Sequence, residues 1–192
     1  MVTRRDRLLR AFYRLVPPSL HRRAAYLLSL YHADRVCDIG GGAGHLARAL
    51  EEAGERPGLH VIVDPDRGLL EMAPGYPWLE RVEAVAERLP LRGGSCRFAV
   101  FHDALHHIEE PEAALDEALK VARCIYLDDF DVKTLAGKLI KLLEKAAGYP
   151  ANFFSRDELL ELLRGRGLRV LHVEEGGPGA VRVVACLPER LD

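Results

Sequence analysis

Apolar positions fall along this chain in two spacings. Compact apolar runs of strand length stand at 35–39 (RVCDI), 59–64 (LHVIVD), 81–86 (RVEAVA), 97–102 (RFAVFH) and 124–130 (CIYLDDF). Between them, apolar residues recur every three or four positions, which is helical periodicity, at 44–53, 66–72, 111–121 and 132–147. Breakers agree with these limits. Gly54 and Pro57 follow the first of these helices, Pro74 follows the second, and Pro111 opens the third. Upstream, residues 4–32 read as two helices parted by Pro17-Pro18, with Ser19 as N-cap of the second. Downstream, Ser155-x-x-Glu158 is a capping box that opens a helix to Arg164. The runs LRVLHVEE and AVRVVACL then flank GGPG, the pattern of a hairpin. Strands alternating with helices imply a parallel sheet covered on both faces. The expected fold is therefore α/β: a doubly wound, mostly parallel seven-stranded sheet ending in a C-terminal antiparallel hairpin. No repeat, low-complexity segment or linker interrupts 1–192, which reads as one domain.

Composition narrows the picture by exclusion. Of 192 residues 48% are hydrophobic and 29% charged, with a net charge of −2, so nothing global points to nucleic acid or membrane. No apolar run approaches the roughly 18 residues of a spanning helix. The basic N-terminus lacks a continuous apolar core and a small-residue cleavage site, so it reads as mature, cytoplasmic protein. The chain has no Gln and a single Asn, Asn152, which suggests a thermophilic source. Cys37, Cys96, Cys124 and Cys186 form no C-x-x-C pair, and no zinc site is expected. They read as buried thiols on or beside strands, with an internal disulfide as the alternative for a hyperthermophile.

Candidate chemistry begins at RVCDIGGGAGHLARAL, residues 35–50. Glycines between a strand and a helix let the backbone turn sharply and approach a ligand. Read from Gly42, the loop satisfies the dinucleotide pattern G-x-G-x-x-A, with Asp64 at a suitable distance for a ribose, so the glycines leave an NAD enzyme open. Asp38 discriminates. A carboxylate directly before the glycines repels a pyrophosphate and suits a cation. The run Asp38-x-Gly40-x-Gly42-x-Gly44 resembles the signature of the class I S-adenosylmethionine-dependent methyltransferases. VIVDPDRGLLEMA is similar to that family's second-strand segment, and AVAERLPLRGGSCRFAVFHDALHHIEEPEAAL to its fourth-strand segment.

That resemblance implies a Rossmann-like methyltransferase fold and S-adenosylmethionine as cofactor. It implies that Asp38, Gly40, Gly42 and Gly44 hold the methionine part, that Asp64 with Pro65 meets the ribose, and that Ala86 and Glu87 border the adenine. The chain departs from the family at Val85, where an acid is common, and at Cys96-Arg97, where Phe-Asp is usual. Residues 1–32 correspond to an N-terminal helical lid, and FYRLVPPSLHRR is similar to the same region of quinone-biosynthesis methyltransferases.

Methyl transfer needs alignment more than functional groups, so a base is required only if the acceptor must lose a proton. Candidates lie after the fourth and fifth strands: His102, Asp103, His106, His107, Asp128 and Asp129. Asp103 is assigned to the methionine end or the acceptor, and His107 to the pocket wall or the base. The histidines do not read as a metal site, because His106-His107 matches a dipeptide recurrent in the family. The expected partner is a small-molecule acceptor; no metal, membrane span or nucleic acid is expected. The alternatives are an NAD-dependent oxidoreductase, a non-catalytic S-adenosylmethionine-binding domain, and an RNA or protein methyltransferase.

Overall fold

The computed structural model describes residue 13 and residues 16–188. Its seven strands are β1 (Arg35–Ile39), β2 (Leu59–Asp64), β3 (Leu79–Glu83), β4 (Cys96–His102), β5 (Ala122–Phe130), β6 (Arg169–Glu175) and β7 (Ala180–Cys186). They form one sheet in the order β3-β2-β1-β4-β5-β7-β6. The first five run parallel, and β7 is antiparallel to both β5 and β6. The helices are α1 (Arg22–Leu30), α2 (His45–Glu52), α3 (Arg67–Leu70), α4 (Pro111–Val121), α5 (Leu135–Ala147) and α6 (Arg156–Gly165).

Burial on both faces explains why the strands read as continuous apolar runs. Ala24, Leu27 and Leu28 of α1, with Leu46 and Leu50 of α2, pack on one face against Val36, Phe98 and Tyr126. Leu115 of α4, with Leu159 and Leu163 of α6, packs on the other against Ile39, Phe101 and Ile125. Strand order reverses between β1 and β4, so the parallel strands open a crevice at their carboxyl ends there.

Local chemistry fixes several boundaries. Ser155 Oγ accepts from Glu158 N, and the Glu158 carboxylate accepts from Ser155 N, which closes the capping box at α6. Asp66 caps α3 by accepting from Gly68 N and Leu69 N. Ser19 is not a cap: a 3-10 turn, Pro18–His21, runs straight into α1, and neither start has a side-chain cap. The earlier of the two N-terminal helices lies outside the described residues, apart from Tyr13 and Val16. β3 begins and ends earlier than its apolar pattern suggests, because it stays in register with β2 only as far as Asp64 opposite Glu83. This leaves Ala84, Val85 and Ala86 in the loop beyond the strand.

Two further features were not fixed by the pattern. Cys124 and Cys186 stand directly opposite each other on β5 and β7 and form a disulfide, whereas Cys37 and Cys96 are buried thiols. Helix α5 turns its leucines toward solvent.

Candidate active site

The loop after β1 turns through three glycines with positive φ, Gly40, Gly42 and Gly44. At Gly40 no other residue fits: a Cβ would stand 2.7 Å from that of Ala104, while its N–H donates to Val63 O at 2.8 Å. The glycines therefore let β1, β2 and the loop after β4 approach one another. At Gly42 a Cβ would come 3.2 Å from the Tyr13 ring, so Tyr13 lies across the loop. His45, at the start of α2, holds that residue through Nε2 to Tyr13 O at 2.8 Å.

Two cavities meet beside this loop, with Tyr13, Gly40 and Asp103 lining both. The larger, about 1050 Å³, runs from Asp64 and Pro65 past Ala86 and Glu87 to His107 and Glu144. The smaller, about 420 Å³, is bounded by Asp38, Gly41, His21, His102, Phe130 and Arg182. Of the ten site residues expected from sequence, eight line one cavity or the other. Gly42 and Gly44 line neither; they shape the turn. Gly41, which the alternating glycine pattern skips, lines the smaller cavity. A Cβ there would sit 2.5 Å from Asp38 Oδ2.

Asp38 is buried, with Oδ2 3.2 Å from Nε2 of the equally buried His60. Asp64 accepts from Gly42 N at 3.0 Å and from Asp66 N at 2.8 Å, so the second strand's carboxylate also braces the glycine loop. Burial pushes its carboxyl up to about 6, against those two hydrogen bonds. Asp103 takes a left-handed conformation, φ 52, with its N–H donating to Asp128 O at 2.8 Å. Asp tolerates that region better than most residues. The turn leaves Asp103 where the two cavities join.

The histidines separate. His102, the last residue of β4, stacks on His21 at 4.1 Å in the smaller cavity, and His21 in turn stacks on His45. Burial drives His21 down to about 2, so it is neutral. The buried Nδ1 atoms of His21 and His102 have no hydrogen-bond partner. Behind them, Asp128 lies 3.4 Å from His102 Nε2 and accepts from Arg182 Nε at 2.7 Å and Tyr126 OH at 3.1 Å. Arg182 continues to Glu174, which also pairs with Arg23 of α1. The Arg23 hydrogen bond leads in holding Glu174 down to about 2.

His106 is wholly buried beside His107 and Glu144 of the larger cavity's lining, with Nδ1 2.6 Å from Asp129 Oδ1 and Nε2 3.4 Å from Glu144 Oε2. Burial opposes charge on this ring, but the two carboxylates outweigh it and push its pKa up to about 10. His106 is thus an imidazolium at neutral pH. His107, with Nε2 3.1 Å from that of His106, is lowered by burial and by the charge beside it, and is neutral. Ligand-type atoms of His106, His107 and Glu144 converge, as do those of Asp103, His106 and Asp129. A proton on His106 satisfies this geometry: one ring N–H points at Asp129 and the other at His107 and Glu144.

Sequence reading placed Tyr13 and His21 only within the 1–32 lid segment and missed Arg182 and Glu144 as site residues. His21 and Arg182 reach the site from opposite ends of the chain, so no local spacing marks them. Glu144 did carry a signal, as the only acid in α5.

A family model described as a methyltransferase domain matches residues 2–173. The chain belongs to this methyltransferase family. A search of curated proteins returns no match. Solved structures repeat the fold. A protein from Pyrococcus horikoshii OT3 aligns with TM-score 0.71 and 16% identity over 93% of this chain and 99% of that one. An S-adenosylmethionine-dependent methyltransferase from Thermotoga maritima gives 0.69 and 22% over 95% and 97%. Another from Aquifex aeolicus gives 0.67 and 19% over 90% and 100%.

The methyl donor this implies is S-adenosylmethionine, and the methyltransferase's larger cavity suits it. Seven carboxylates line that cavity: Asp64, Asp66, Glu87, Asp103, Glu109, Glu110 and Glu144. Among its described lining residues there is no Arg or Lys. Such walls favour a cation and disfavour a dinucleotide pyrophosphate.

Proposed function

We propose that this methyltransferase holds S-adenosylmethionine in the larger cavity and methylates a small-molecule acceptor in the smaller one. The observation that carries this reading is that the larger cavity, beside an acid-led glycine loop, is lined by seven acids and, among its described lining residues, by no Arg or Lys. The bound cofactor supplies an electrophilic methyl carbon on a sulfonium; the chain's own groups position, desolvate and manage protons. Asp64 accepts the ribose hydroxyls in charge-assisted hydrogen bonds, and Pro65 covers that end. Ala86 and Glu87 border the adenine. The methionine end reaches past Gly40 and Asp103, where the two cavities join, toward Asp38 and the Gly41 backbone, which hold it from the smaller cavity's side, with Gly42 and Gly44 fixing the turn.

Asp103, at the junction of the cavities, orients the methionine end or the acceptor. His107, kept neutral by burial and by the His106 charge, forms part of the larger cavity's wall. An acceptor space of about 420 Å³ favours a small molecule over nucleic acid or protein. Its apolar lining residues, Val16, Leu20, Leu46 and Phe130, stand with His21 and His102, whose buried Nδ1 atoms have no hydrogen-bond partner. That combination fits an apolar acceptor bearing a hydroxyl or amine. Val16, Leu20 and His21 belong to the 1–32 segment, which acts as a lid within one domain spanning 1–192.

Calorimetry with S-adenosylmethionine, S-adenosylhomocysteine and NAD tests the reading. Both sulfur compounds are expected to bind and NAD is not, and Asp64→Ala should weaken binding about tenfold or more, the order of a lost charge-assisted contact. Binding of NAD alone would replace the reading with an oxidoreductase.

A further inference from the structure

Helix α5 presents an apolar stripe to solvent. Leu135, Leu139, Leu142 and Leu143 are 87%, 57%, 66% and 59% exposed. At 3.6 residues per turn these four share one side with Ala146. The opposite side meets the body: Gly137 is buried, where a Cβ would stand 2.1 Å from Asp131 O, and Glu144 reaches His106 and His107. Lys138, Lys141 and Lys145 form a row along one edge of the leucine stripe. None makes an ion pair with a described residue, whereas nearby Lys133 is held by Asp157 at 2.8 Å. Lysine is scarce in this chain, five against 22 arginines, and three of the five stand on this helix.

We propose that α5 docks the protein on an anionic lipid surface. The leucines would enter the boundary between headgroups and acyl chains, and the lysines would reach the phosphates. Contiguous exposed apolar patches mark interaction sites, and the residue types select the partner. Protein interfaces are enriched in aromatic residues, Met and Arg, and depleted in Lys and Ala. This face offers Leu, Ala and Lys alone. Leucine flanked by lysine is the composition of helices lying in a membrane interface, where lysine stems stay in the apolar layer while their charges reach out. No helix among the described residues is long and apolar enough to cross a membrane, so α5 would lie on the surface. The chain's net charge is −2, so the attraction comes from the local lysine row and is screened by salt. Through Glu144, on its inward side, the same helix borders the larger cavity, so α5 would lie between that cavity and the lipid.

The test is independent of methyl transfer. The full chain is floated with vesicles of phosphatidylcholine alone and of phosphatidylcholine mixed with phosphatidylglycerol. It should rise with the mixed vesicles and fall away as salt is added. Leu139→Glu with Leu142→Glu should abolish flotation, and Lys138→Glu with Lys141→Glu should weaken it roughly tenfold or more. These side chains are exposed or half-buried, so unchanged thermal melts will show that the variants fold. No flotation by the wild type overturns the proposal, as does flotation that the leucine variant retains. A concentration-dependent dimer in light scattering that the leucine variant abolishes also overturns it, assigning the face to a second copy.

Discussion

Asp64 answers to two demands that pull its proton in opposite directions. Burial lifts its pKa to about 6, so over roughly pH 4 to 6 the folded chain retains a proton that the unfolded chain has released. The stability this confers is present below about pH 4 and is lost as pH rises through about 6. Ribose binding needs the ionised form. Affinity for S-adenosylmethionine should therefore fall as pH drops below about 6, approaching tenfold per pH unit, with proton release on binding near that pH. Calorimetry in buffers of differing ionisation enthalpy reads both, and an affinity constant from about pH 5 to about pH 8 would remove Asp64 from the ribose. His106 gives the opposite profile. Its pKa is raised to about 10, so its contribution is complete below about 6.5 and is lost as pH rises through about 10. The wild type should lose thermal stability across that alkaline window, on the order of a few kcal/mol. His106→Gln should be less stable at neutral pH and lack the decline; an unchanged alkaline melting profile in that variant would sink the imidazolium assignment. Both residues stood in the sequence. What did not was the pairing of His106 with Asp129 and Glu144, because partners 23 and 38 positions away meet only after the sheet and α5 are in place.

At the scale of elements, legibility followed burial. α4 starts and stops where Pro111 and the apolar spacing place it, and β2 matches its run at both ends. β3 lies at the sheet edge with exposed or half-buried residues after Leu79, so its pattern was weak and its limits shifted. The leucine period of α5 identified the helix correctly but not its orientation. A 3.6-residue stripe reports a shared side, and only the contacts of Gly137 and Glu144 say which side faces inward. The pairing of cysteines was equally hidden until β7 was placed beside β5. Joining Cys124 to Cys186 closes a loop 62 residues apart in sequence. The chain-entropy treatment gives about 4 kcal/mol for such a loop, an upper figure. Reduction, or Cys124→Ala with Cys186→Ala, should lower Tm by on the order of 10 °C. Differential scanning calorimetry with and without reductant measures it, and equal melting temperatures would show that the crosslink contributes nothing.

For the whole molecule, strand-helix alternation in the sequence established the layers, and the acid-led loop marks the side on which the two cavities open. Strand order was not available from any run of residues, and it has a consequence for how the protein comes into being. β7 is the last of the seven strands in the chain, yet it lies between β5 and β6 in the sheet. Arg182, which β7 carries, is the partner of Asp128 and part of the smaller cavity's wall. While the chain is emerging from the ribosome, β1 to β5 can assemble in order, but β5 keeps an open edge until residue 186 has been made. The molecule is therefore finished from its interior. The last of these seven strands to be synthesised is a keystone, and neither the smaller cavity's wall nor a joined sheet exists before it arrives.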